Sequence, residues 1–172
     1  AQTIEVLIEA KRLGTISSGS LDVTVGPLVN LWGFGPLSRP DKIPTKGLID
    51  STRKRIGLDK LTVGPTWASK NEPTLYVDLS TIAKGYAVDQ LATLLQVYKI
   101  DNFLVDIGGE MRLAGIKASG TPWKIAIEKP ETELRSVQKI ISVGDNAIAT
   151  SGDYRNYYEH DGVRYSHLIN PT

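Results

Sequence analysis

One long stretch with helical spacing, residues 80 to 97, sits among short strand-like runs, and this pattern limits the folds open to the chain more than any other feature. LTV and TLYVD precede it; FLVDI, MRLAG, WKIAIEK, SVQKIISV, NAIAT and VRYSHLI follow it. Short runs rich in β-branched and aromatic residues, bounded by Gly, Pro, Asn and Asp, read as strands. The chain is therefore expected to be an α/β (α+β) domain with a mixed β-sheet core and flanking helices. Its 172 residues suit one domain spanning 1–172, since a domain of this size buries roughly 70% of the surface its unfolded chain exposes.

Ahead of the strands, Ile4, Leu7, Ile8 and Leu13 can share one helix face over residues 1 to 13, and Gly14 is expected to stop that helix. A small-residue loop, TISSGS, leads to the β-branched LDVTV and then to GPLVNLWGFGP, where Pro27 suits the first turn of a short helix. Residues 35 to 46, rich in Pro, Lys and Arg, read as a surface excursion before a helix near 47 to 56.

Lys+Arg 20 against Asp+Glu 19 gives a formal charge of +1, with no cationic run of the kind that binds nucleic acid or anionic membranes. No apolar run approaches the ~20 residues of a membrane-spanning helix. The chain has no cysteine, which excludes disulfides and thiolate metal ligands without reporting the compartment. AQTIEVLIEAKRLG reads as a helix already under way without a signal peptide, and HLINPT stops on a turn signal. Both ends read as cuts in a longer protein.

The stretch DLSTIAKGYAVDQLA places an acid, two hydroxyls and a lysine where a strand hands over to a helix. Ser80 sits where an N-cap belongs, and the apolar face is expected to run through Ala83, Ala87, Leu91 and Leu94 or Leu95. The free N–H groups of a helix N-terminus suit a phosphate, and Lys84 would add a formal charge. Asp78 could accept hydrogen bonds from a base or a ribose. The competing reading is a capped surface helix with a solvated lysine, and spacing alone favours it, since such caps are common.

In SGSLDVTVGPLVNLWGF, Asp22 and Thr24 lie beside backbone loosened by Gly19 and Gly26. Trp32 and Phe34 either wall a flat ring system or plug the core. Gly108 and Gly109 in DIGGEMRLAG suit close approach of a ligand, but the pattern is not G-x-G-x-x-G and does not support a Rossmann-type fold. Of the two histidines, His160 falls in an expected exposed turn, whereas His167 ends a strand, where an imidazole can act as a base or simply pack. Ser151, Tyr154, Arg155 and Tyr157 could form a rim.

Taken in order, SLDVTVGPLVNLWGFGP, VDLSTIAKGYAVDQLA, FLVDIGGEMRLAG, ATSGDYRNYYE and SHLINPT resemble the ApbE family of flavin transferases, once described as thiamine-biosynthesis lipoproteins. The resemblance spans nearly the whole chain. It implies a T-fold-like domain and an exported, magnesium-dependent FAD:protein FMN transferase, which moves FMN from FAD onto a threonine or serine hydroxyl and releases AMP. Carried over residue by residue, the FAD contacts fall on Ser20, Leu21 and Asp22, on Asp78 and Lys84, and on Ile169. A Mg²⁺ contact falls on Thr81, through its main-chain carbonyl, and the catalytic histidine on His167. The implied partners are flavin-carrying subunits of membrane redox complexes, on the periplasmic side of the inner membrane, with the enzyme held as a lipoprotein.

Further magnesium ligands of the family, an aspartate and a threonine or serine, belong to a C-terminal segment absent from these residues, and one FAD contact belongs upstream. Because Mg²⁺ usually needs one or two carboxylates beside phosphates and waters, these 172 residues alone are expected to bind FAD weakly or not at all. Two other functions share the same site: a magnesium-dependent FAD pyrophosphatase, and a non-catalytic module that stores or delivers FAD.

Overall fold

A computed structural model describes residues 1–36, 43–131 and 136–171. In chain order the elements are α1 (Gln2–Ile16), α2 (Gly26–Leu31), α3 (Lys46–Arg53), a 3₁₀ turn (Leu58–Lys60), β1 (Leu61–Val63), β2 (Ala68–Lys70) and α4 (Ser80–Val97). There follow β3 (Phe103–Ile107), β4 (Glu110–Ala114), β5 (Ile125–Glu128), β6 (Val137–Ile141), β7 (Ala147–Ile148), β8 (Tyr157–His160) and β9 (Val163–Ser166). They group into two compact units, Ala1–Ile82 with Asn156–Thr172, and Ala83–Arg155.

In the first unit α1 buries Ile4 and Leu7 against Leu61 and Leu75, with Val63, Val77 and Leu79 packed around them. The helix does not stop at Gly14 but runs through it to Ile16. That glycine is a packing residue: a Cβ there would lie 2.1 Å from Leu58 Cδ1 and 3.1 Å from the Leu21 carbonyl oxygen. Pro27 occupies the first turn of α2, where its missing N–H costs no helical bond. Thr45 caps α3 by accepting the Leu48 N–H, so this helix covers 46–53 rather than 47–56. β1 pairs antiparallel with β2, and β8 with β9. Asp161 and Gly162, at φ 50° and 73°, make the tight turn that right-twisted hairpins favour. His160 accordingly closes β8 as a half-buried strand residue rather than sitting in a turn.

In the second unit β3, β4 and β7 form a three-stranded antiparallel sheet, and β5 pairs with β6. Val88, Ala92, Phe103, Leu113 and Ile125 are buried here. Gly108 and Gly109, at φ 61° and 95°, join β3 to β4 in a two-residue hairpin turn, which accounts for both glycines without a ligand.

Helix α4 spans the residues expected of it, but its buried positions are Val88 and Ala92, while Leu91 and Leu94 are exposed. TLYVD forms no strand, and the turn before α2 holds LDVTV. Among the described residues the strands form four small antiparallel sheets in place of one mixed sheet, so the architecture is α+β. Half of the Pro- and Lys-rich excursion, residues 37–42, lies outside the described residues.

A candidate nucleotide and phosphate site

The first unit builds the site from a short loop and a helix start. Asp22 Oδ1 accepts two hydrogen bonds from Thr24, from its N–H at 2.7 Å and its hydroxyl at 2.6 Å. Thr24 Oγ1 in turn accepts the Gly57 N–H at 2.7 Å. Between them, the Val23 carbonyl accepts the Asp78 N–H at 2.7 Å. Gly26 lets the loop close on Tyr76, since a Cβ there would fall 2.4 Å from the ring. Two carboxylate-bearing segments separated in sequence are thereby held side by side.

Asp78 Oδ1 accepts the Ser80 N–H at 2.9 Å. Ser80 is therefore the first residue of α4, and the oxygen that satisfies a free N–H comes from Asp78 rather than from Ser80. Thr81 follows in the same turn, exposed. Helix geometry commits its carbonyl to one ladder bond and leaves a second lone pair.

A cavity of about 330 Å³ opens at this helix start, lined by Phe34, Asp78, Ser80, Thr81, Asn156 and His167 among others. His167 Nδ1 lies 3.2 Å from the Asn156 carbonyl oxygen, which also accepts the His167 main-chain N–H at 3.3 Å. A carbonyl only accepts, so Nδ1 carries the proton, and in the neutral imidazole Nε2 keeps the lone pair. Phe34 meets the imidazole edge-on at 6.4 Å between centroids. Behind it Phe34, Tyr158, Tyr165 and Trp32 stack in series at 5.3, 5.5 and 5.4 Å. Trp32 and Phe34 thus pack on other rings and also face cavities.

Asp78, Thr81 and His167 are brought together. Ser20, exposed, and Leu21, half-buried, lie in the bend that leads into Asp22, with the Leu21 N–H donated to Ser17 Oγ at 3.0 Å. Ile169 lines a different cavity of the same unit, about 440 Å³, together with Trp32, Arg53, Arg164 and Tyr165. Lys84 belongs to the second unit, where it pairs with Glu110 at 2.6 Å. The expected rim divides: Ser151 and Tyr154 line a cavity of the second unit, whereas Tyr157 lies under the Arg164 guanidinium at 3.8 Å in the first. Arg155 pairs with Glu128.

For Mg²⁺, the cavity supplies hard oxygen donors from Asp78, Ser80 and Thr81, but only one carboxylate. Among the described residues no three His, Cys, Asp or Glu side chains cluster as a metal site. This donor set fits a cation shared with phosphate oxygens and water, not a self-sufficient metal centre.

The profile of the ApbE family matches residues 1–172. The chain belongs to the ApbE family. A relative from Vibrio cholerae named FAD:protein FMN transferase is 59% identical over 171 residues, covering 99% of this chain and 51% of the relative. One from Salmonella typhimurium with the same name is 46% identical, covering 97% and 49%. Among solved structures, the flavin transferase ApbE from Vibrio cholerae superposes with a TM-score of 0.87 at 57% identity, covering 99% of this chain and 54% of that one. This ApbE-family chain spans about half the length of the curated relatives it matches.

Sequence reasoning missed the Asn156 carbonyl and, although it named Thr24, the hydrogen bonds that Thr24 makes. The Asn156 carbonyl belongs to the main chain, and residue types carry no signal for it. The structural work of Thr24 was open to reading, because Asp-x-Thr is a spacing at which an aspartate captures the N–H and hydroxyl two residues on.

Proposed function

We propose that the whole protein is a magnesium-dependent FAD:protein FMN transferase. The observation that carries this reading is the cavity in which an imidazole with a free Nε2 lone pair shares walls with Asp78 and the first turn of α4. An N-terminal helix turn suits a pyrophosphate, and the carboxylates of Asp22 and Asp78 suit the hydroxyl and amino donors of a dinucleotide. The names of relatives at 59% and 46% identity support the same activity.

In this mechanism the loop at Ser20, Leu21 and Asp22, together with Asp78, Lys84 and Ile169, binds FAD, and the start of α4 orients its pyrophosphate. His167 Nε2 takes the proton from a threonine or serine hydroxyl of the acceptor. That oxygen forms the new bond to the FMN phosphorus, the bond from this phosphorus to the AMP oxygen breaks, and AMP leaves. Asn156 holds the imidazole in the tautomer that can accept. Mg²⁺, when bound, would be held by Thr81 with phosphate oxygens and waters and would offset charge developing on those oxygens. A T-fold-like core, export as a periplasmic lipoprotein and acceptors in membrane redox complexes complete the reading.

The test is mass spectrometry of a threonine-bearing acceptor incubated with FAD, Mg²⁺ and the full-length protein, beside a His167→Ala copy. An FMN mass added by the protein and lost in the variant is the expected outcome. An unmodified acceptor with FAD split to FMN and AMP would replace the transferase with a pyrophosphatase. No turnover of either kind would leave a binding module.

A further inference from the structure

We propose that Thr24 is a positioning residue for FAD: its hydroxyl holds the Asp22 carboxylate so that one oxygen stays inside the fold and the other faces the nucleotide. The inference rests on the reading of Asp22 as an FAD contact.

Thr24 is fully buried, at 0% exposure, and a hydroxyl in that setting needs partners on both its donor and its acceptor side. Both are present. The Gly57 N–H donates to Oγ1 at 2.7 Å, and Oγ1 donates onward to Asp22 Oδ1 at 2.6 Å. With the Thr24 N–H also on Oδ1 at 2.7 Å, that carboxylate oxygen takes two hydrogen bonds from one residue. Oδ2 takes none among the described residues. An ionised carboxylate only accepts, so Oδ2 is an acceptor for a hydroxyl or amino group. Its direction is set because Oδ1 is fixed. The same turn sends the Val23 carbonyl to the Asp78 N–H at 2.7 Å, and Asp78 likewise spends Oδ1 on an internal N–H, that of Ser80. Two carboxylates, each with one oxygen occupied internally, stand on one frame, and Thr24 is its buried joint.

The geometry separates the hydroxyl from the rest of the side chain. Thr24→Val keeps the shape but removes both hydrogen bonds; Thr24→Ser keeps the hydroxyl. Asp22→Asn keeps an oxygen for Thr24 and places an NH₂ where the outward oxygen stood. In the full-length protein, with FAD binding followed by flavin fluorescence and folding by melting temperature, Thr24→Val is expected to raise the FAD Kd about tenfold, the scale of one positioned hydrogen bond to a charged group. kcat at saturating FAD should stay within about twofold, because His167 is untouched, and Thr24→Ser should bind within about twofold of the parent. In an Asp22→Ala background, Thr24→Val should weaken binding little further.

Thr24→Val binding as tightly as the parent while Asp22→Asn binds weakly would overturn the positioning role alone. An equal loss in Thr24→Val and Thr24→Ser, or a full further loss in the Asp22→Ala background, would overturn it in favour of a general packing role. Parent-like binding by Asp22→Asn would instead remove the contact on which the proposal stands.

Discussion

At the residue scale, His167 differs from His160 in what its ring nitrogens meet. His160 Nε2 lies 3.5 Å from Asp161 Oδ2, an exposed carboxylate, whereas the Nδ1 of His167 faces a main-chain carbonyl. The two arrangements have different consequences for a base. An imidazole whose Nδ1–H is spent on a carbonyl presents Nε2 as its acceptor and can turn only by losing that bond. Side-chain ¹⁵N shifts of neutral His167 are therefore expected to report a protonated Nδ1 and a bare Nε2. The opposite tautomer would remove the orientation role of Asn156, while leaving open which acceptor His167 serves. The strand end and the SHLINPT motif singled out His167, but not its tautomer, because the group that sets it is main chain brought in from eleven residues away.

At the scale of elements, the legible parts were those whose signals are local. The bounds of α4 follow from a helix-favouring run entered from Asp78 and Ser80, and the two-residue turns of the β3–β4 and β8–β9 hairpins fall on residues suited to positive φ. Asp161 and Gly162 are such a pair, so β8 was recoverable from a DG flanked by aromatic and polar residues, although the aromatic run before it suggested a rim instead. What failed depended on neighbours distant in sequence. TLYVD has strand composition, but the Asp78 N–H goes to the Val23 carbonyl of a loop, not to a strand. Leu91 and Leu94 fit the expected apolar stripe, yet Val88 and Ala92 are the residues the unit buries. Gly14 is the sharpest instance. Propensity alone makes Gly14→Ala stabilising by about 1 kcal/mol in a helix interior. The space is not there: the new Cβ would meet Leu58 Cδ1 at 2.1 Å and the Leu21 carbonyl at 3.1 Å. Overpacking costs about 1–3 kcal/mol, somewhat relieved by rotation of Leu58, so a net loss of about 1 kcal/mol is expected. Denaturant midpoints of the two proteins decide it, and a raised midpoint for the alanine variant would return Gly14 to the role of an unremarkable helix residue.

At the scale of the whole molecule, each unit buries apolar residues of its own. The first packs α1 against Leu61 and Leu75, and Val88, Phe103, Leu113 and Ile125 are buried in the second. Asp22, Asp78, Thr81 and His167 all belong to the first unit, Lys84 to the second. Leu28 and Leu113, each 1% exposed, sample one unit apiece. Truncating either to alanine removes buried methyl groups and leaves a cavity, at a cost of about 2–5 kcal/mol. If each unit opens as its own cooperative block, the loss should stay local. Native-state hydrogen exchange is then expected to speed up in α1 and α2 for Leu28→Ala while β3 and β4 keep their protection, and the reverse for Leu113→Ala. Uniform loss of protection in both variants would instead mean that the units fold as one. In the local case the frame of Asp22, Thr24 and Asp78 survives a destabilised second unit. In the uniform case a strongly destabilising variant of the second unit would open that frame as well.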